Sequence, residues 1–119
     1  MKLLTASDVY LSEADELLSK GDVVQASEKY YKAAEEALKL IAVKLNMTDI
    51  LEKVKSRGDW DIEDLFEIVM KLKAYDEKID SYWDCAIALN TVHLEGDPLL
   101  DCVERVRKLV GLSDKIANS

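Results

Sequence analysis

The sequence predicts an all-α protein, an up-and-down bundle of five or six helices. Three observations carry that reading. Apolar residues make up 49% of the 119 and charged ones 34%, a composition able both to fill a core and to cover it. Only four glycines and one proline interrupt the chain, and apolar residues recur at helical spacings of three and four along most of it. Sustained period-two alternation, Gly-rich hairpin turns and low-complexity linkers are all missing from the pattern, so residues 1–119 are expected to form one helical domain.

Helix one starts at Ser7, carries Tyr10, Ala14, Leu17 and Leu18 on one side, and ends at Lys20-Gly21. Gly21 closes it in the left-handed conformation. Asp22 then caps the next helix, with Gln25 three residues on in the capping-box position. So short a connection makes helices one and two antiparallel neighbours. Helix two runs from Asp22 to Asn46 without a breaker, about 35 Å long. Its inner row is Ala26, Tyr30, Ala33, Ala37, Ile41 and Leu45, and the alanines permit close approach of a neighbouring backbone. Gln25, Lys29, Lys32, Glu36 and Lys39 occupy the other side, where Glu28 with Lys32 and Glu35 with Lys39 are favourably ordered i,i+4 pairs.

Thr48 or Asp49 caps a short helix three through Val54, followed by a loop over Lys55-Ser56-Arg57-Gly58-Asp59. Asp61 with Asp64 forms another capping arrangement, and Ile62, Leu65, Phe66, Val69 and Leu72 make helix four amphipathic. After a turn or bend around residues 76–80, helix five carries Ile79, Tyr82, Trp83, Ala86, Ile87, Leu89 and Leu94. Asp97 caps helix six with Pro98 at its first position, and Leu99, Leu100, Val103, Val106 and Val110 follow until Gly111 ends it. Residues 112–119 are expected to be a loose C-terminal tail.

The segment Met1-Lys2-Leu3-Leu4-Thr5-Ala6-Ser7-Asp8 lacks the apolar core of a signal peptide, and no stretch approaches the roughly 20 apolar residues that cross a bilayer. A cytoplasmic protein is expected. There Cys85 and Cys102 are expected to be reduced, buried as small hydrophobes, with a disulfide as the alternative. Glutamine occurs once and asparagine three times among many Lys and Glu, a composition that points toward a thermophile.

The formal charge of −8 argues against broad coating of nucleic acid. Four scattered glycines form neither a P-loop nor a dinucleotide fingerprint. The single His93 has no serine or cysteine in a recognisable nucleophile setting, and the residue three before it is Asn90 rather than the Glu of a di-iron helix. Two distant cysteines and one histidine do not make a zinc site. Acidic clusters at Asp76, Glu77, Asp80 and Asp84 and at Asp59, Asp61, Glu63, Asp64 and Glu67 read as solvated faces and helix starts rather than cation sites. No metal and no cofactor are expected. Asn90 and His93 extend rows on helix five that otherwise face apolar neighbours, which suggests a structural network, a subunit interface or a ligand groove.

The run Gly21-Asp22-Val23-Val24-Gln25-Ala26-Ser27-Glu28-Lys29-Tyr30-Tyr31-Lys32-Ala33 is similar to the second half of a tetratricopeptide repeat. It lacks the terminal proline and a copy some 34 residues later. A fuller resemblance is to the PaREP family of small archaeal helical proteins, related to the HEPN superfamily. It is carried by Gly21, Asp22, Gln25, Glu28 and Lys29 with Tyr31-Lys32-Ala33-Ala34, and by Trp83-x-x-Ala86-x-x-Leu89 leading to Glu95-Gly96. The family pattern has a His where this chain has Asn90. The resemblance implies a HEPN-like bundle, commonly dimeric. Some HEPN members cleave RNA with an Arg a few residues before a His; here Arg57 is far upstream of His93, and Arg105 and Arg107 follow it, so no such ribonuclease is expected. The expected function is a non-catalytic homodimeric binding module for a nucleotide or a partner protein such as a small nucleotidyltransferase. Its groove would be formed by Lys29, Lys32, Trp83, Asn90 and His93. A tetratricopeptide-like adaptor is the alternative.

Overall fold

The structure, a computed structural model, describes residues 4–119; Met1, Lys2 and Leu3, which enter the leader argument, lie outside them. Six helices follow one another: α1 (Ala6–Ser19), α2 (Val23–Lys44), α3 (Thr48–Arg57), α4 (Ile62–Leu72), α5 (Ile79–Thr91) and α6 (Gly96–Ala117). No strand occurs among the described residues. The all-α bundle is thus the observed architecture, and α2 is its axis, packed against α1, α6, α5, α4 and α3.

Small side chains explain why α2 takes that place. Ala26, Ala33, Ala34, Ala37 and Ala42 are all buried along it, so neighbouring helices approach on more than one side. Asp22 caps its start, accepting from the Gln25 N–H at 3.1 Å and from Gln25 Nε2 at 2.9 Å. Gly21, at φ +82°, makes the reversal from α1 that a side chain would strain. Across this hairpin the buried Ser7 hydroxyl donates to the Ala33 carbonyl at 2.7 Å.

A second tie spans three helices. Asp15 on α1 accepts the Tyr30 hydroxyl of α2 and both terminal nitrogens of Arg107 on α6. Burial alone would raise the Asp15 pKa, but the bonds from Arg107 and Tyr30 outweigh it and hold the carboxyl below its usual 3.8. A carboxyl lowered by folding adds stability above its unfolded pKa and loses it as pH falls through the folded value. Wild type is therefore expected to lose more melting temperature than Asp15→Asn between pH 6 and pH 3, by a few degrees, in matched thermal scans.

Several boundaries depart from the sequence expectation. Helix α1 is capped by Thr5 in a capping box with Asp8. Helix α3 continues through Lys55 and Arg57 to Gly58, whose φ of +84° ends it, because Arg57 is held by Asp61 and the buried Asp64. Helix α5 stops at Thr91, and Val92 is extended, so His93 and Leu94 lie in the following loop. Helix α6 starts at Gly96 behind Glu95, which moves Pro98 to the third position, where a backbone N–H still has no intrahelical partner.

The loose tail over 112–119 is not observed. Helix α6 passes through Gly111 to Ala117, with Ser113 and Asp114 buried and Leu112 and Ile116 against the core. A glycine in a helix costs about 1 kcal/mol relative to alanine, less than the burial of the apolar face beyond it contributes. The cysteines are also corrected. Cys85 of α5 and Cys102 of α6 form a disulfide with Cα atoms 4.9 Å apart. The antiparallel α5–α6 hairpin sets these residues face to face, an adjacency that helical periodicity along one strand of sequence does not encode.

Candidate functional site

The five groove residues are not gathered into one site. Trp83 is fully buried, stacked at 5.6 Å on Tyr31 and met edge-on by Phe66 at 6.4 Å. Its indole N–H finds no acceptor among the described residues, so it is a core residue and offers no surface to a ligand. Lys29 and Lys32 lean toward α1. Both ammonium groups sit over the Tyr10 ring, at 5.2 and 5.8 Å, and Lys29 also pairs with Glu13 at 3.0 Å. Of the i,i+4 pairs expected on this helix, Glu35–Lys39 forms at 3.6 Å, while Lys32 turns to Tyr10.

Asn90 and His93 do come together. They line a cleft of about 260 Å³ with Val24, Ser27 and Glu28 of α2 and with Leu89, Thr91 and Val92. Two parts of the sequence build it. The Asp22 cap fixes the first turn of α2, presenting Val24 and Glu28, and the extended Val92 swings the chain away from α5 so that His93 reaches the same edge. Both polar residues are exposed rather than facing the core, which corrects the view that they extend buried rows. His93 Nε2 lies 2.9 Å from Glu95 Oε1, and no serine or cysteine hydrogen-bonds to the ring among the described residues. Val24 and Val92 are 58% and 57% exposed at the rim. Chemically the cleft offers hydrogen-bonding side chains, apolar walls and the Glu28 carboxylate.

A second cleft, of about 290 Å³, was not foreseen. Tyr31, Glu35 and Lys39 of α2 face Asp59, Trp60, Asp61, Ile62 and Leu65 at the entry to α4. The Lys39 ammonium sits 5.7 Å from the Trp60 ring and pairs with Glu35 and Glu36. Burial, then the neighbouring Glu35, pushes the Tyr31 hydroxyl up to about 12. Trp60 precedes the Asp61 cap, the position of a hydrophobic staple, with Leu65 as its usual mate; that spacing was the signal available in the sequence. Beside this cleft, Ile62, Phe66 and Met70 follow one another every fourth residue on α4 and remain 45%, 44% and 62% exposed.

Among the described residues, no group of three His, Cys, Asp or Glu side chains is placed to hold a metal ion, and no helix is long and apolar enough to cross a membrane.

The model of the archaeal PaREP1/PaREP8 family matches residues 2–110. This chain belongs to that family. Solved structures agree: a crystal structure of a Sulfolobus solfataricus protein is 38% identical, with a TM-score of 0.92 over 98% of this chain and 100% of the other. A solution structure of that same target, the Orf c02003 protein, is also 38% identical, with a TM-score of 0.85 over 98% and 95% of the two chains. No curated protein matches the chain. The PaREP match takes in both clefts and the whole of α1 to α5, whereas the last turns of α6 lie beyond it.

Proposed function

We propose that this PaREP protein is a non-catalytic, HEPN-like binding module that acts as a homodimer in the cytoplasm and takes a partner protein at the α2–α5 cleft. The observation that carries the reading is the division of α2 into two faces. Lys29 and Lys32 are turned to Tyr10, and Lys29 to Glu13, while the cleft is walled by exposed Val24 and Val92 beside Glu28. A phosphate in that cleft would meet the Glu28 carboxylate, and no lysine lines it. Apolar rims with a few polar groups suit a peptide segment. A lone histidine paired with Glu95, without a bonded nucleophile, supports binding over catalysis. The adaptor alternative loses its footing because α2 is one unbroken helix from Val23 to Lys44.

A nucleotide is the second reading, favoured by the hydrogen-bonding set Ser27, Asn90, Thr91 and His93 in the same cleft. The two separate in a paired experiment. A small nucleotidyltransferase, the partner class implied by the HEPN resemblance, is co-expressed with wild type and with Val92→Glu. Retention by wild type, and loss of about tenfold or more in affinity with the variant, is the expected result. A nucleotide that raises the melting temperature of wild type, but not of Asn90→Ala, would overturn the protein-partner reading, since any ligand of the folded state must stabilise it.

A further inference from the structure

The cleft between α2 and α5 has two walls, and they are held in different ways. Val24, Ser27 and Glu28 lie in the first turns of α2, the helix against which the other five pack. The opposite wall, from Leu89 to His93, is the end of α5 and the start of the loop to α6. Among the described residues, no hydrogen bond or ion pair ties residues 89–95 to α2. Val92 still donates its N–H to the Ala88 carbonyl at 2.9 Å, and beyond it His93, Leu94 and Glu95 make no backbone-to-backbone bond.

Two things fix this second wall. One is packing, with Leu89 and Leu99 buried and Leu94 half-buried between them. The other is the Cys85–Cys102 disulfide. It lies about one turn before Leu89 on α5 and one turn after Leu99 on α6, so every cleft residue of this wall falls inside the loop that the bond closes, and those of α2 fall outside it. Both cysteines are half-buried rather than sealed in the core, which leaves their sulfurs open to an attacking thiolate.

We propose that the disulfide is a redox-sensitive clamp on the cleft. Oxidised, it holds the Leu89–His93 wall in the shape that takes the partner; reduced, it lets that wall move and binding weakens. This inference rests on the reading of the cleft as a partner site and adds its regulation. The reductant is a dithiol. One of its thiolates attacks the Sγ of Cys85 or Cys102, the S–S bond breaks, and the departing cysteine sulfur takes up a proton. The second thiol of the reductant then displaces the remaining cysteine from the mixed disulfide, so that two electrons and two protons pass to the cysteines and the reductant is left as a disulfide. Leu89, Leu99 and Val103 stay in the core throughout. A wall that holds the binding shape only part of the time lowers the apparent affinity by that fraction.

The test treats the full-length chain with dithiothreitol, counts free thiols by alkylation, and follows folding by circular dichroism and backbone motion by 15N relaxation. Reduction is expected while the chain stays folded. Order parameters of residues 92–95 are expected to fall below about 0.6 on reduction, while those of Ser27 and Glu28 stay near about 0.85. The affinity of the nucleotidyltransferase used to test the cleft is expected to drop about tenfold. The Cys85→Ser/Cys102→Ser variant should bind at the reduced level with or without dithiol, which separates an effect on this chain from one on the partner. Unchanged motion of the wall, a bond that yields only when the chain unfolds, or equal affinity in both states would overturn the clamp while the cleft reading stood. A nucleotidyltransferase bound in neither state would overturn the partner reading, and the relaxation measurement would still decide whether the bond clamps the wall.

Discussion

Replacing Trp83 by alanine is expected to destabilise the protein by about 3–5 kcal/mol, the range for removing a buried Trp from a well-packed core. Trp83 is fully buried between Tyr31 of α2 and Phe66 of α4, so its loss opens a cavity where three helices meet. Trp83→Phe is expected to cost much less. It keeps an aromatic face for Tyr31 and deletes an indole N–H that has no acceptor among the described residues, and an unpaired buried donor is itself unfavourable by about 1–3 kcal/mol. Urea denaturation of the two variants measures both effects. Near-equal stability of Trp83→Ala and wild type would show that the cluster does not hold α4 to the bundle.

The second large effect is expected from the disulfide. Cys85 and Cys102 close a short loop between α5 and α6, and a cross-link over a loop of that length restricts the unfolded chain by about 3 kcal/mol. Reduction, or the Cys85→Ser/Cys102→Ser double variant, should lower the melting temperature by about 10–15 °C for a chain of this size. The helices themselves should remain, since Leu89 of α5 and Leu99 and Val103 of α6 are also buried in the common core. Unchanged melting in the presence of reductant would remove the bond from the account of stability.

These two features differ in how readable they were. Trp83 stood out as the large member of an apolar row, and the row correctly marked an inward face of helix five. Its place in a ligand groove was a misreading, because periodicity tells which residues share a side but not whether that side meets solvent or another helix. The cysteines show the same limit more sharply. Each lies on its own helix, and only the register of the α5–α6 hairpin reveals that they face one another.

Local signals fared better than long-range ones. The Gly21 turn, the Asp22 cap and the Asp61–Asp64 capping box follow from a few adjacent residues, and all three are present. The alanine row of helix two correctly implied close neighbours, and that helix is the axis of the bundle. Ends decided by tertiary packing were harder. Gly111 looked like a stop, yet the face beyond it, from Leu112 to Ile116, is packed against the core. The site split along the same line. Asn90 and His93 share the end of helix five, where both extend its rows, and the cleft does hold them together, whereas nothing in the sequence shows that α1, and Tyr10 in particular, lies over Lys29 and Lys32. Tyr31 and Trp60 meet across residues far apart in the chain, and only the staple position of Trp60 hinted at the second cleft.

The central claim is the proposal that this PaREP chain works as a homodimeric binding module. Multi-angle light scattering of the wild-type chain tests it most directly. The account predicts a wild-type species of twice the 13.4 kDa chain mass. A single-mass wild-type species across the accessible concentration range would contradict it.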